Sequence, residues 1–442
     1  MNTNPRKLAV DIIFKVLKGE SSLSDEITSL RTNYDCLKII DIRFVSELSN
    51  GVIRNLEYID YVISCVSDVK INKISPYVLC VLRSGVYQLI YMDKVPPSAA
   101  VNESVKIIRK SSNSRLTGFV NAVLRKISSV KDNIELPDEH IKNISIKYSC
   151  PEWIVNKIYG RIGNETDELF KSLNTKTATI LRTNTLKTNP ETLIESLNSY
   201  GWSCRKYNSD IFPDIDYLIV ADKIENIDTC PEYKAGHFYI QDPAAAYVAE
   251  VLKPLEGSLI LDMCASPGGK TTHFAEKIKD KGRVVAFDVS ENKINRIVEN
   301  ANRLGLNSVE AYVNDATVIK TDLLDSADFV LVDSPCSGIG IIRKKPDIKY
   351  LRKPTDSSEL AKISLNILNT SSKYLKKGGY MVFSTCTLFE EENEGVLFEF
   401  LKNNPEFSLK KIDCAIDNNG YITLYPHKNN CDGFFISLLT RN

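Results

Sequence analysis

The chain has 442 residues, 43 % of them hydrophobic and 25 % charged, with 56 basic and 56 acidic side chains that cancel to a formal charge of zero. That length supports two or three domains, each with its own core. The neutrality excludes a global field for nucleic acid, so an anionic partner has to be met by a local patch. The 11 cysteines run from Cys36 to Cys431 without a C-x-x-C pair, and there are 4 histidines. This argues against a disulfide framework and against a zinc site, and no metal is expected. The stretch from Met1 to Lys7 lacks a charged-then-apolar signal pattern, and no apolar run reaches transmembrane length. A cytoplasmic protein with no membrane partner is expected. The sequence sets no oligomeric state, and a monomer is compatible with it.

From Pro5 to about Lys131 the apolar residues recur at helical spacing. Leu8, Ile12, Ile13, Val16 and Leu17 share one face. Tyr58 to Val66, Tyr77 to Tyr91 and Ala99 to Ile108 continue the pattern, with Ser75-Pro76 as a start signal and Pro96-Pro97 as a break. An all-α domain over residues 1–135 is predicted. Its second half is lopsided: Lys106, Arg109, Lys110, Arg115, Arg125, Lys126 and Lys131 fall between Ser104 and Lys131 with no acidic residue among them. Such a run is either a solvated helix face or a phosphate-facing patch.

Residues 136–236 read as a linker and a small α+β unit. Asp132 to His140 is polar, Ile180 to Thr185 is strand-like, and Pro190 to Tyr200 is an amphipathic helix closed by Gly201. Tyr217 to Ala221 and His237 to Ile240 are shorter strand-like runs. Over residues 237–442 strands and helices alternate. Strands are predicted at Ser258 to Met263, Arg283 to Val289, Ser308 to Val313, Asp328 to Val332, Gly379 to Ser384 and Gly433 to Leu439. Helices are predicted at Thr271 to Lys279, Asn292 to Leu304, Leu360 to Leu375 and Glu391 to Lys402. This is the pattern of a doubly wound α/β sheet, which binds ligands beyond the carboxyl ends of its strands.

The first of these strands runs into Asp262, Met263, Cys264, Ala265, Ser266, Pro267, Gly268, Gly269, Lys270 and Thr271. A phosphate-binding P-loop would need glycine where Cys264 stands. A nucleoside site instead needs small residues for close backbone approach and an acid about twenty residues on for a ribose. Ala265, Ser266, Gly268 and Gly269 meet the first need and Asp288 the second. Asp315 follows the third strand and Asp333 ends the fourth, so four acids fall near one sheet edge. Any one of them alone would read as a helix cap. Together they suit a ligand with a ribose and a sulfonium better than a bare triphosphate, which favours S-adenosyl-L-methionine over ATP.

Cys336 and Cys386 follow the fourth and fifth strands at that same end, in Ser/Thr/Pro/Gly surroundings. A free cysteine taken alone is more often a small buried hydrophobe. Two beside a methyl donor suggest covalent chemistry. The C5 of a pyrimidine is a poor nucleophile until a thiolate adds to C6.

With these residues in view, the chain resembles the bacterial RsmB family of ribosomal RNA cytosine-C5 methyltransferases, a branch of the NOL1/NOP2/Sun group. The resemblance rests on Asp262–His273, on Asp333–Gly338 with Gly340–Tyr350, on Ser384–Thr387 with Glu391–Asn393, and on Asp432–Phe435. Leu82–Leu89, Ala99–Glu103 and Gly118–Arg125 resemble the NusB-like domain of that family. It implies an all-α NusB-like domain, a small RNA-recognition-like unit and a Rossmann-like class I methyltransferase domain. It also implies that Cys264, Ala265, Ser266, Pro267, Gly268, Gly269, Lys270, Asp288, Asp315 and Asp333 bind S-adenosyl-L-methionine. Cys386 would be the nucleophile, Cys336 would assist product release, and Asp333 would also hold the cytosine edge. The implied substrate is the loop of helix 31 in 16S small-subunit ribosomal RNA. The same chemistry on transfer RNA and a non-catalytic RNA-binding or antitermination factor are the alternatives. Ser266 and Ser334 replace the usual alanines, and Gln241–Ala246 lacks a second glutamine often present there. Arg343, Lys344, Lys345, Lys349, Arg352 and Lys353 follow the Cys336 loop and are expected to face the RNA backbone.

Overall fold

The computed structural model describes residues 4–33, 37–224 and 227–442. Cys36 and the first three residues of the amino-terminal stretch lie outside them. The chain divides into two compact units: Met1–Thr175 with Ile342–Pro354, and Lys176–Ile341 with Thr355–Asn442.

In the first unit the predicted periodicity becomes seven helices, from Pro5–Leu17 to Thr117–Val130. Asn4 caps the first by accepting from the main-chain N–H of Arg6 and Lys7. Pro5, Pro76 and Pro97 stand at first helical positions, where the missing N–H is not needed. Their apolar faces merge in one core that includes Ile12, Ile13, Val45, Val52, Leu82 and Leu124. Three more helices follow, at His140–Lys147, Glu152–Ile162 and Thr166–Leu173. By compactness they fall in this unit, which ends at Thr175 in that part of the chain.

The segment Ile342–Pro354 packs into this helical unit, and that corrects its expected exposure. Asp347 accepts from the main-chain N–H of Leu23 (3.0 Å), capping the helix Leu23–Asn33. Arg54 donates to the carbonyl of Arg343 (2.8 Å). Lys349 is buried and donates to the carbonyl of Arg54 (2.9 Å) and to that of Ser149. Tyr350 donates to the same Ser149 carbonyl (2.9 Å). Two of the six basic residues, Arg343 and Lys349, are therefore buried. Lys344, Lys345 and Lys353 remain exposed. In the earlier basic run Lys126 donates to the carbonyl of Val66 (3.1 Å) and Lys131 to that of Leu89 (2.8 Å), and Lys126 stays exposed with Lys106, Arg109, Lys110, Arg115 and Arg125.

The second unit holds two sheets. The smaller consists of β1 (Thr179–Thr183), β2 (Ser203–Lys206), β3 (Leu218–Asp222) and β4 (Phe238–Ile240), antiparallel in the order β2-β3-β1-β4. The helix Pro190–Ser199 packs on it through Leu193 and Leu197. The larger sheet contains β5 (Leu259–Asp262), β6 (Arg283–Asp288), β7 (Val309–Val313), β8 (Ala327–Asp333), β9 (Leu375–Thr385), β10 (Phe407–Leu409), β11 (Tyr421–Leu424) and β12 (Phe434–Arg441). Its order is β10-β12-β9-β8-β5-β6-β7, with β11 paired to β12. The run from β7 to β9 is parallel and β12 is antiparallel, which gives a mixed doubly wound sheet.

Alternate residues point to opposite faces of this sheet, and both faces are covered. Ile260, Leu331 and Val382 pack with the helices Pro243–Leu252 and Gly269–Lys277, whereas Leu261, Val330, Val332 and Phe383 pack with Asp356–Ser371 and Glu394–Asn403. The helix Pro243–Leu252 and the short strands β2, β10 and β11 are among the elements absent from the sequence prediction.

Burial lowers the Lys349 ammonium to about 8. Between pH 8 and its ordinary value of about 10.4 the unfolded chain binds this proton and the folded chain does not, so stability rises with pH across that window. The rise is on the order of 3 kcal/mol. Lys349→Met is expected to remove it, as measured by denaturant midpoints of both proteins from pH 8 to 10. A variant curve parallel to the parent would place the proton elsewhere.

Candidate active site

The carboxyl ends of β5, β6, β8 and β9 carry the candidate residues. The turn after β5 is built for close approach. Ala265 N–H donates to the carbonyl of Phe287 (2.9 Å), Gly268 N–H to that of Ala265 (2.7 Å), and Ser266 N–H to Asp288 Oδ2 (3.0 Å). Gly268 has φ +95°, a conformation that favours glycine, and the helix Gly269–Lys277 starts directly after it. The loop that was read as a donor site is therefore tied to the end of β6 through Asp288. The other Asp288 oxygen accepts from Lys293 (2.9 Å) and Val289 N–H (2.8 Å).

Asp262 is buried. One of its oxygens accepts from Thr271 (2.6 Å), and the other, Oδ1, has no hydrogen-bond partner among the described residues. Burial raises its carboxyl to about 7, with the neighbouring Asp333 contributing. Asp315 is placed differently from the other three acids. It is exposed, and its Oδ1 accepts from the main-chain N–H (2.9 Å) and hydroxyl (2.7 Å) of Thr317, which lower its carboxyl. Burial pushes the Cys264 thiol far up.

Asp333 ends β8 opposite Ser384 of β9 in a parallel pair. It accepts from Ser384 Oγ (2.8 Å) and from Lys270 Nζ (2.6 Å). Burial opposes the charge on Lys270, but the Asp333 carboxylate outweighs it, helped by Asp262 and Cys386, and the ammonium is raised. Beyond that pair the two cysteine loops run together. Ser334 N–H donates to the carbonyl of Ser384 (2.9 Å), Ser337 Oγ meets Thr387 Oγ1 (2.7 Å), and Gly340 N–H donates to the carbonyl of Cys386 (2.9 Å). The buried Glu392 accepts from Ser337 N–H (2.7 Å). A Cβ on Gly340 would meet the carbonyl oxygen of Gly433 at 1.9 Å and that of Cys386 at 2.8 Å, so only glycine fits there. Cys336 and Cys386 Sγ stand 3.3 Å apart. The hydrogen bond to Cys386 and then burial push the Cys336 thiol well above its ordinary value. It is thus a neutral thiol in a polar setting.

The chain is similar to known proteins along its length. Residues 249–440 match the family model described as 16S rRNA methyltransferase RsmB/F, residues 3–129 match the NusB family, and residues 150–211 match the ferredoxin-like domain of RsmF/B-like methyltransferases. The chain is 33 % identical over 448 residues to a probable ribosomal RNA small subunit methyltransferase B of Bacillus subtilis, covering 98 % of each chain. The chain belongs to the ribosomal RNA small subunit methyltransferase B family. A Proteus mirabilis member is 31 % identical, covering 99 % of each chain. Among solved structures, PH0851 matches over 100 % of both chains with a TM-score of 0.83 and 26 % identity. NSun6 from Pyrococcus horikoshii, solved with SFG, matches 66 % of this chain and 98 % of its own with a TM-score of 0.57, and at 24 % identity it supports the fold.

The methyl donor of this family is S-adenosyl-L-methionine, and the residues fit it. The unpartnered Asp262 Oδ1 is an acceptor awaiting a cationic or N–H group, Asp288 stands at the end of the second strand, and Gly268 and Gly269 open the backbone between them. Sequence reasoning assigned Lys270 to the donor but missed its pairing with Asp333. It also missed Glu392 and the buried Arg182 described below. A charged residue in the middle of the apolar run Ile180 to Thr183 was the available signal for Arg182.

If Asp262 contacts the amino group of the donor, donor affinity rises as pH passes 7 and the carboxyl ionises. Calorimetric titration from pH 6 to 8 should show that rise in the parent protein and a flat profile in Asp262→Asn. A parallel rise in the variant would assign the dependence to another group.

Proposed function

We propose that the protein methylates C5 of a cytosine in 16S ribosomal RNA, in the loop of helix 31, through a covalent adduct between Cys386 and C6. The observation that carries this reading is the pair of cysteines 3.3 Å apart beyond adjoining parallel strands, beside the Lys270–Asp333 ion pair. The names of the relatives, ribosomal RNA small subunit methyltransferases, support the choice of ribosomal RNA.

In this mechanism the target cytosine leaves its stack to enter the cleft. Asp333, held by Lys270 and Ser384, accepts from the cytosine edge. Cys386 as thiolate forms a bond to C6, and the electron pair moves to make C5 enamine-like. S-adenosyl-L-methionine supplies the electrophilic methyl group that C5 takes. A base then removes the C5 proton, the C5–C6 double bond returns, and the C6–S bond breaks to release Cys386. Cys336, in hydrogen-bond reach of Cys386, assists this release of product beside the C5 proton. No histidine is needed within either cysteine loop.

Bisulfite sequencing of ribosomal and transfer RNA with and without the gene tests the substrate. Loss of one 5-methylcytosine in 16S RNA is expected, and a loss confined to transfer RNA would overturn the ribosomal assignment. For the mechanism, Cys386→Ser is expected to abolish methyl transfer and retain donor binding. Cys336→Ser is expected to trap an RNA adduct that survives denaturing gels. Full activity in the first variant, or no adduct in the second, would remove that residue from its role.

A further inference from the structure

The small sheet reaches the donor helix through one buried side chain. Arg182 lies in β1 with no exposed surface. A guanidinium has five N–H donors, and the bonds of Arg182 number five. Nε donates to Glu276 Oε2 (3.0 Å) and Nη2 to Glu276 Oε1 (2.8 Å). Nη2 also donates to Thr272 Oγ1 (3.0 Å), and Nη1 to Gln241 Oε1 (2.6 Å) and to the main-chain carbonyl of Gly269 (2.7 Å). Gly269, Thr272 and Glu276 all belong to Gly269–Lys277, the helix that the donor loop opens into. Two residues further along the chain, the buried Asn184 donates to the carbonyls of Gly236 and Leu304 (3.0 Å each), at the end of the helix Glu291–Leu304. Arg303 returns two bonds, to the carbonyls of Tyr233 (2.9 Å) and Phe238 (3.0 Å).

The small sheet is therefore bolted to the two helices that follow β5 and β6, on either side of the donor loop. We propose that Arg182 is a positioning residue for the methyl donor: by gripping the Gly269 carbonyl and the first turns of its helix, it fixes the backbone of Ser266 to Lys270 around S-adenosyl-L-methionine. On this reading the small sheet serves the donor site as well as any contact with RNA. A purely hydrophobic contact would join the elements as firmly, because buried ion pairs contribute little net stability over apolar replacements. The fork delivers a fixed geometry instead. Lysine cannot reproduce it, having neither the planar spread nor the number of donors.

The test uses the full chain carrying Arg182→Lys. Donor dissociation is measured by calorimetry, and KM for the donor and kcat are measured at saturating ribosomal RNA. Donor Kd and KM are expected to rise about tenfold or more, as the loss of a buried charged hydrogen bond implies. Then kcat at saturating donor and RNA affinity should stay within about threefold. A variant with donor Kd unchanged and kcat reduced would make Arg182 a stabilising residue only and overturn the proposal. Where Arg182→Lys does not fold, Gln241→Leu removes one acceptor and keeps the Glu276 pair. A donor Kd raised about threefold supports the proposal, and an unchanged Kd overturns it. Both readouts concern the donor alone, so they stand apart from the site of methylation on the RNA.

Discussion

The parallel pairing of β8 with β9 is the constraint on which the site depends. Its register sets Asp333 opposite Ser384. Because both strands run the same way, their loops leave at one edge, and Cys336 and Cys386 enter those loops three and two residues later. An antiparallel pair would have sent them to opposite ends of the sheet. The sulfur–sulfur approach thus follows from strand direction and register, and the Ser334, Ser337 and Gly340 bonds only continue the ladder past its last pair.

The polar groups around that edge are affordable only because they satisfy one another. A parallel sheet covered on both faces offers little water to its strand ends. Asp333 is met by Lys270 and Ser384, Glu276 by Arg182, and Glu392 by Ser337. Removing one member of such a pair leaves an uncompensated buried group, at a cost of about 3–5 kcal/mol for an ion pair. Asp262 Oδ1 has no such partner among the described residues, and it falls at the turn after β5, where a ligand is expected.

Much of this was legible in the sequence, for identifiable reasons. Alternation of apolar runs with amphipathic helices gave the doubly wound sheet, since period and length distinguish the two elements there. The cysteines were found by their position after apolar runs and their polar neighbours. What was not legible depended on long-range partners. Lys349 sits in a run of six basic residues, and composition cannot tell an ammonium in water from one held by two carbonyls at helix ends. Asp315 looked equivalent to Asp288, but its carboxylate turns onto Thr317, two residues away. Strands β2, β10 and β11, of three or four residues, are too short to show a period.

The path of the chain around Gly340 bears on how such a protein is built. After Ile341 the chain leaves the methyltransferase sheet, docks in the helical unit as far as Pro354, and returns. The helical unit is therefore discontinuous. Cut out at residue 175, it would lose the side chain that caps the helix Leu23–Asn33 and the donors for the carbonyls of Arg54 and Ser149. The two parts therefore cannot be exchanged as beads on a string. A recombination that brought in a different helical partner would have to bring a matching thirteen-residue insert with it, placed directly after the loop that carries Cys336.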